Sequence, residues 1–150
     1  MALIHELEYR GKRKDNNEWV HGGFYKHQLK TPSPIVPKGE KPEEIEYAYI
    51  IVVSGFSDWN MPKPLLAYEI TFESIGIFFG YFDIKGNKIF TGDIVKLNDY
   101  HGQRIVEIKF YNGIFYYTGD GFSDEHIRNA KDIEIIGNII ENPELLEIKL

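Results

Sequence analysis

Chemistry in this chain would have to come from a few groups of side chains. The first is its five histidines, His5, His21, His27, His101 and His126. None forms the His-x-x-x-His or His-Glu-x-x-His spacing that sets two ring nitrogens on one helix face around zinc. His21 and His27 lie six residues apart, which on a regular strand places both on one face, although a bulge at Gly22-Gly23 would shift that register. Two strand histidines without a metal is the reading that carries more weight. The second group is the acidic run GDGFSDEH, with Asp120, Asp124, Glu125 and His126. Its spacing is not that of a calcium-binding loop, which alternates its ligands and ends on a glutamate at the twelfth position. The run reads as a solvated loop entering a helix N-terminus, where carboxylates are favoured. Only an approach of Asp99 and His101 would turn it into a hydrolytic metal site.

The third group is basic. Arg10, Lys12, Arg13 and Lys14 place four cations in five positions beside Tyr9 and Trp19. They are the one candidate nucleic-acid patch, weighed against a solvated turn around Gly11. Nucleophilic catalysis has less support, because Ser54-Gly55 and Ser57 lack a G-x-S-x-G elbow. GYFDIKGNKIFTG matches neither phosphate-binding loop nor dinucleotide fingerprint. No cysteine is present, so thiolate zinc sites and disulfides are excluded. The expectation is a protein with no catalytic residue, no cofactor and no metal, hence not an enzyme. A fourth group points elsewhere: Phe56, Trp59 and Met61 sit in a proline-bounded loop, where large apolar side chains are unusual. They form a candidate partner surface, since aromatic and methionine side chains are enriched in interface cores. The competing reading is a loop folding its side chains back over the end of a barrel.

The elements that must position these groups are strands. Of 150 residues 43% are hydrophobic and 15% aromatic, enough for a packed interior. Tyr, Phe, Val and Ile favour pleated, half-buried strands. The net charge is −6, and the second half of the chain is the more acidic, so any nucleic-acid contact would work against the overall field. The N-terminus MALIHELEYRGKRK lacks an apolar signal core, and the longest apolar runs, such as Ile50 to Val53, fall far short of the roughly 20 residues that span a bilayer. A cytoplasmic protein without membrane contact is expected.

Strands are predicted over 4–10, 18–27, 46–55, 66–72, 75–83, 93–98, 104–111, 114–118 and 132–140. Residues 31–44 hold four of the seven prolines and form an exposed loop. Gly22-Gly23 marks a bulge or a close backbone approach. Lys85-Gly86-Asn87 and Thr91-Gly92-Asp93 read as turns. Asn112-Gly113 supplies the two positive φ angles of a type I′ hairpin. A brief helix over 123–130, capped by Ser123, and a short final turn through PELLEI complete the series. The class is all-β with one or two short helices. Residues 1–75 form an N-terminal antiparallel β-rich part and 76–150 an SH3-like small barrel packed against it, or the two make one continuous domain. Gly86, Asn87, Gly92, Asp93, Asn112 and Gly113 are then turn residues, with Asp93 bonding local amides.

Three stretches, EYRGKRKDNNEWVHG, DIKGNKIFTGDIV and IEIIGNIIENPELL, stand in this order along nearly the whole chain. Together they resemble the YopX-like family of bacteriophage and prophage proteins. IGIFFGYFDIKGN departs from the family pattern, with Phe79 and Phe82 where Thr and Leu are common, but keeps its apolar face. The resemblance implies an all-β protein of a mobile genetic element acting inside a bacterial cell, and it brings no catalytic residue. The expected function is a non-enzymatic interaction module with a protein partner, including a second copy of itself. The alternatives are a nucleic-acid-associated protein and, third, a small metal-dependent hydrolase.

Overall fold

The computed structural model describes residues 7–118 and 124–150. The chain is all-β, and its described strands divide among three antiparallel sheets. The largest contains β1 (Glu8–Lys12), β2 (Trp19–Gln28), β3 (Tyr47–Ser54), β4 (Leu65–Ile70), β5 (Gly76–Phe82) and β6 (Lys88–Phe90) in the order β4-β3-β2-β1-β5-β6. A second contains β7 (Asp93–Asp99), β8 (Gly102–Glu107) and β12 (Lys131–Asn138), with β7 in the middle. The third joins β9 (Lys109–Tyr111), β10 (Ile114–Thr118) and β11 (Asp124–His126).

The long strand β2 changes partner at its glycine pair. Lys12 to Tyr9 of β1 pair with Trp19 to Gly22, and β3 takes over from Gly23 opposite Val52. A Cβ on Gly22 would lie 2.2 Å from the Val52 carbonyl oxygen, so the crossing strands meet at backbone distance. Asn112 and Gly113, with φ of 50° and 78°, form the two-residue loop that sets Tyr111 opposite Ile114.

One expected strand, 104–111, is two. β8 pairs with β7 up to Glu107 opposite Ile94, while β9 pairs with β10 from Lys109. Between them Ile108 donates its N–H to the Asp93 carbonyl, and its own carbonyl accepts the Gly92 N–H. The chain turns a corner there, with Ile108 buried at the vertex. Ile108 joins Ile89, Val95, Leu97, Val106, Phe115, Tyr117 and Ile127 in the main core. Phe110, the next residue in the alternation of Val106 and Ile108, is 45% exposed because it lies beyond the corner.

Two expectations need correction. Residues 124–126 are strand, not helix, because β10 offers a free edge on which Tyr116 and Tyr117 meet His126 and Glu125. Only a 3-10 turn, Ile127–Asn129, follows, while the proposed cap Ser123 lies outside the described residues. Among the described residues, no sheet closes into a barrel. The strands after residue 75 do not close on one another, since β5 pairs with β1 and so draws the β5–β6 hairpin into the N-terminal sheet. Among the described residues the remaining 3-10 turns are Phe72–Ser74 and Pro143–Glu147. No described helix is long and apolar enough to cross a membrane.

Candidate functional site

The basic cluster is the natural place to start, because β1 and the turn after it fix all four cations. Each is ion-paired within the chain. Arg10 meets Asp93 at 2.7 Å, Lys12 meets Glu141 at 3.1 Å, Lys14 meets Glu69 at 2.6 Å, and Arg13 meets Asp15. The Arg13 guanidinium also stands 3.8 Å from the centre of the Tyr68 ring. Counterions for these groups are therefore supplied by the protein itself, which lowers the number of cations able to release ions from a phosphate backbone.

Arg10 is the centre of the arrangement. Its guanidinium lies between the Trp19 and Phe90 rings, at 5.0 and 4.9 Å from their centroids. The Asp93 carboxylate it meets is buried, and its other oxygen accepts the Phe90 N–H at 2.8 Å. Burial pushes the Asp93 carboxyl above its ordinary range, with the Arg10 charge pulling the other way. Trp19 in turn donates its indole N–H to Glu141 at 2.9 Å, the same oxygen that Lys12 reaches. Those two contacts, Trp19 first, hold the Glu141 carboxyl below the usual carboxylate range. The sequence marked Arg10 and Lys12 as cations and Asp93 as a turn residue. It gave no sign that one buried pair joins them, nor that Glu141 belongs to the group.

The other turn residues are placed as follows. Asp83 at the end of β5 accepts N–H bonds from Lys85 and Asn87 through one oxygen, at 2.9 and 2.8 Å, and from Ile135 of β12 through the other. Burial raises this carboxyl, but the amide bonds outweigh it and hold it below its ordinary range. Gly86 and Gly92 both have positive φ. The Asp83 carboxylate is occupied in holding backbone amides.

The metal candidates do not assemble. His21 sits edge-on to Phe90 at 5.3 Å, and His27 lies beside Tyr25 at 5.8 Å. His126 uses Nδ1 to accept the Arg128 N–H. Asp99 takes Arg104, the His101 N–H and the Tyr117 hydroxyl, whose pKa is pushed up to about 12 by burial and by that carboxylate. Among the described residues no group of three or more His, Asp and Glu side chains could hold a metal ion. His5 and Asp120 lie outside the described residues.

The apolar loop between β3 and β4 is different in kind. Gly55 donates its N–H to the Pro64 carbonyl at 2.7 Å and closes the neck of the loop. Beyond the neck, Phe56, Trp59 and Met61 are 86%, 96% and 63% exposed and line an open cleft of about 480 Å³ with Asp58, Asn60 and Lys63. They do not fold back over the core. Leu65, the first residue of β4, continues the patch at 77% exposure.

The comparison with known proteins falls on this scaffold. The family model described as YopX protein matches residues 8–147. The chain belongs to the YopX family. No curated protein matches it. This YopX protein is also similar to a solved structure, the crystal structure of protein EF1440 from Enterococcus faecalis. The two share 23% sequence identity, and the match covers 93% of this chain and 97% of that one with a TM-score of 0.50. That likeness speaks to the fold alone. The three sequence stretches that carry the family resemblance meet in the Arg10 cluster: Arg10, Lys12 and Trp19 come from the first, Phe90 and Asp93 from the second, and Glu141 from the third.

Proposed function

We propose that this YopX protein is a non-enzymatic protein-interaction module of a bacteriophage or prophage, acting in the bacterial cytoplasm, with loop 55–64 as its partner surface. The observation that carries the reading is the exposure of Trp59, at 96%, between Phe56 and Met61 on a loop with a pinned neck. Large apolar side chains held in water are a standing cost that a partner relieves, and Trp is the residue most enriched among interface hot spots. The pinned neck limits the ordering entropy lost on binding. The basic cluster and the Asp83 turn are occupied by internal bonds, whereas the loop side chains stand in water.

The test replaces Phe56 and Trp59 by serine and compares the variant with the natural chain in retention of partners from a bacterial host lysate. Both positions are outside the core, so the melting temperature should not move. A partner retained by the natural chain and lost by the variant supports the reading; equal retention by both sinks it. Nucleic-acid binding, the second reading, would announce itself as retention that falls steeply with salt and survives the loop substitutions.

A further inference from the structure

β4 ends the six-stranded sheet, and the direction of its hydrogen bonding can be followed residue by residue. Because the Pro64 carbonyl accepts from Gly55, position 64 faces β3, and Leu66, Tyr68 and Ile70 share that side. Positions 65, 67, 69 and 71 face outward. This agrees with the Lys14 N–H reaching the Glu69 carbonyl at 3.0 Å and the Thr71 N–H reaching the Lys12 carbonyl at 3.0 Å. Those two bonds make the Arg13↔Ile70 bridge, where the turn after β1 covers one end of the edge. Among the described residues nothing else pairs with it. The N–H and C=O groups of Leu65 and Ala67, with the N–H of Glu69, are left pointing off the sheet.

Natural edges are blunted by prolines, bulges or central charges. Here those devices miss. The absent N–H of Pro64 belongs to the β3 side, and Leu65, Leu66 and Ala67 put no charge in the middle of the edge. The charges stand at its two ends, Lys63 and Glu69, each three residues from Leu66.

We infer that β4 pairs with β4 of a second copy, antiparallel, about a two-fold axis at Leu66. In that register Leu65 lies opposite Ala67 of the other copy, and each of the two symmetry-related pairs exchanges both its N–H···O bonds. Lys63 lies opposite Glu69 of the other copy at both ends. Lys14 engages Oε1 of Glu69, so Oε2 remains for the incoming lysine. Centring the axis on Leu65 or on Ala67 instead sets Lys63 against Ala67, or Glu69 against Leu65, and loses both charge pairs. A two-fold interface must be self-complementary, and a strand with opposite charges equidistant from an apolar centre satisfies that condition in one register. This deepens the proposed partner surface by naming a second copy as occupant of its strand end, and it rests on that reading only for the role of the surface.

The chain has no cysteine, so Leu66→Cys carries a single thiol placed on the axis. Directly opposed residues of a non-hydrogen-bonded antiparallel pair have Cα atoms about 4.5 Å apart, within disulfide range, whereas Leu65, one position off the axis, is two residues out of register with its own mate and beyond that range. The full-length L66C chain should oxidise to a disulfide-linked dimer, and L65C, its register control, should not. Sedimentation supplies the second arm. Lys63→Glu and Glu69→Lys should each dimerise about tenfold or more weakly than the natural chain, because each sets like charges opposite one another twice. An equimolar mixture of the two should form a heterodimer with both charge pairs restored. Equal cross-linking of L66C and L65C, a natural chain that stays monomeric throughout its soluble range, or no recovery in the mixture overturns the inference. Trp59→Ser separates the two proposals: dimer retained with lysate partner unchanged removes the loop reading and leaves the strand pairing standing.

Discussion

Arg10→Met removes one charge from the buried pair and leaves the other. Methionine keeps an unbranched apolar stem between the Trp19 and Phe90 rings, so packing is largely preserved. The Asp93 carboxylate, 2% exposed, then keeps the Phe90 N–H and loses its cation. Stranding one partner of a buried pair costs about 3–5 kcal/mol, a large share of the roughly 5–15 kcal/mol that holds a domain together. For a chain of this size each kcal/mol moves the melting temperature by about 2–4 °C, so a fall of roughly 6–20 °C is expected. The loss should depend on pH. Burial already holds the Asp93 carboxyl above its unfolded value while Arg10 opposes the rise. Without Arg10 the folded pKa climbs further. A carboxyl raised on folding contributes stability that is full below the unfolded pKa and is lost as pH rises through the folded one. Urea titrations of both proteins at neutral pH and again near the ordinary carboxylate pKa should therefore show the gap narrowing in acid, with unchanged slopes. Arg10→Met with Asp93→Asn should recover part of the loss, since asparagine keeps an acceptor for Phe90. An Arg10→Met gap below about 1 kcal/mol at neutral pH, against the stranded-charge cost above, or one indifferent to pH would refute the assignment of Asp93 as a buried charge that Arg10 compensates.

Three further outcomes follow from the same contacts. Gly22→Ala should cost about 1–3 kcal/mol or more by forcing backbone apart, because its Cβ would stand 2.2 Å from the Val52 oxygen. Gly113→Ala, with no atom within 4 Å, should cost only the left-handed backbone penalty of about 1–2 kcal/mol; thermal melts that rank the two the other way contradict the β2 crossing. Asp83→Ala leaves the amides of Lys85, Asn87 and Ile135 short of an acceptor and should cost about 1–3 kcal/mol. The Asp83 contribution is present above the unfolded carboxyl pKa and lost as pH falls through the lower folded value, so this variant should approach the natural chain in acid. Partial desolvation beside Phe90 lowers the His21 pKa, so an NMR titration should place its midpoint below that of a free histidine. The stability it confers on the neutral ring is then present above the unfolded pKa and disappears as pH falls through the folded one.

How much of this was legible depended on how local each signal is. The class and the Asn112-Gly113 hairpin could be read because strand residues and a two-residue turn carry their own instructions. Gly22 announced a close approach for the same reason: only glycine fits there, whereas Gly23 has room for a Cβ. The corner at Ile108 could not be read. Alternation tells which side of a strand is apolar but not which neighbour it pairs with, and Val106 and Ile108 alternate smoothly through the change of partner. Asp124, Glu125 and His126 carry helix-start chemistry, yet three residues of ladder on the edge of β10 outweigh it. The SH3-like closure failed on pairing too, since nothing in IGIFFGYF says that β1 will be its neighbour. The basic run looked like a patch because the carboxylates that meet it, Glu69, Asp93 and Glu141, lie in distant parts of the chain.

That internal pairing has a consequence for what family membership means here. Arg10, Trp19, Asp93 and Glu141 are distinctive residues, and a reader of motifs would look to them for function. In the folded chain they face one another. Arg10 sits between two rings and a carboxylate, and Trp19 and Lys12 share the Glu141 oxygen. Groups so occupied can lock β1, the Gly92-Asp93 turn and the segment after β12 into one relative position, but they have little left with which to bind anything else. The recognisable part of the sequence is thus the part that specifies the scaffold. Loop 55–64 and the outer edge of β4 fall between the first and second of the three stretches, and there the side chains and backbone groups point outward. A scaffold held by internal ion pairs can vary such a loop without disturbing its own closure, because the Gly55–Pro64 bond isolates the loop from the sheet that carries it. On the proposed reading, partner choice belongs to the stretch that the motifs leave out.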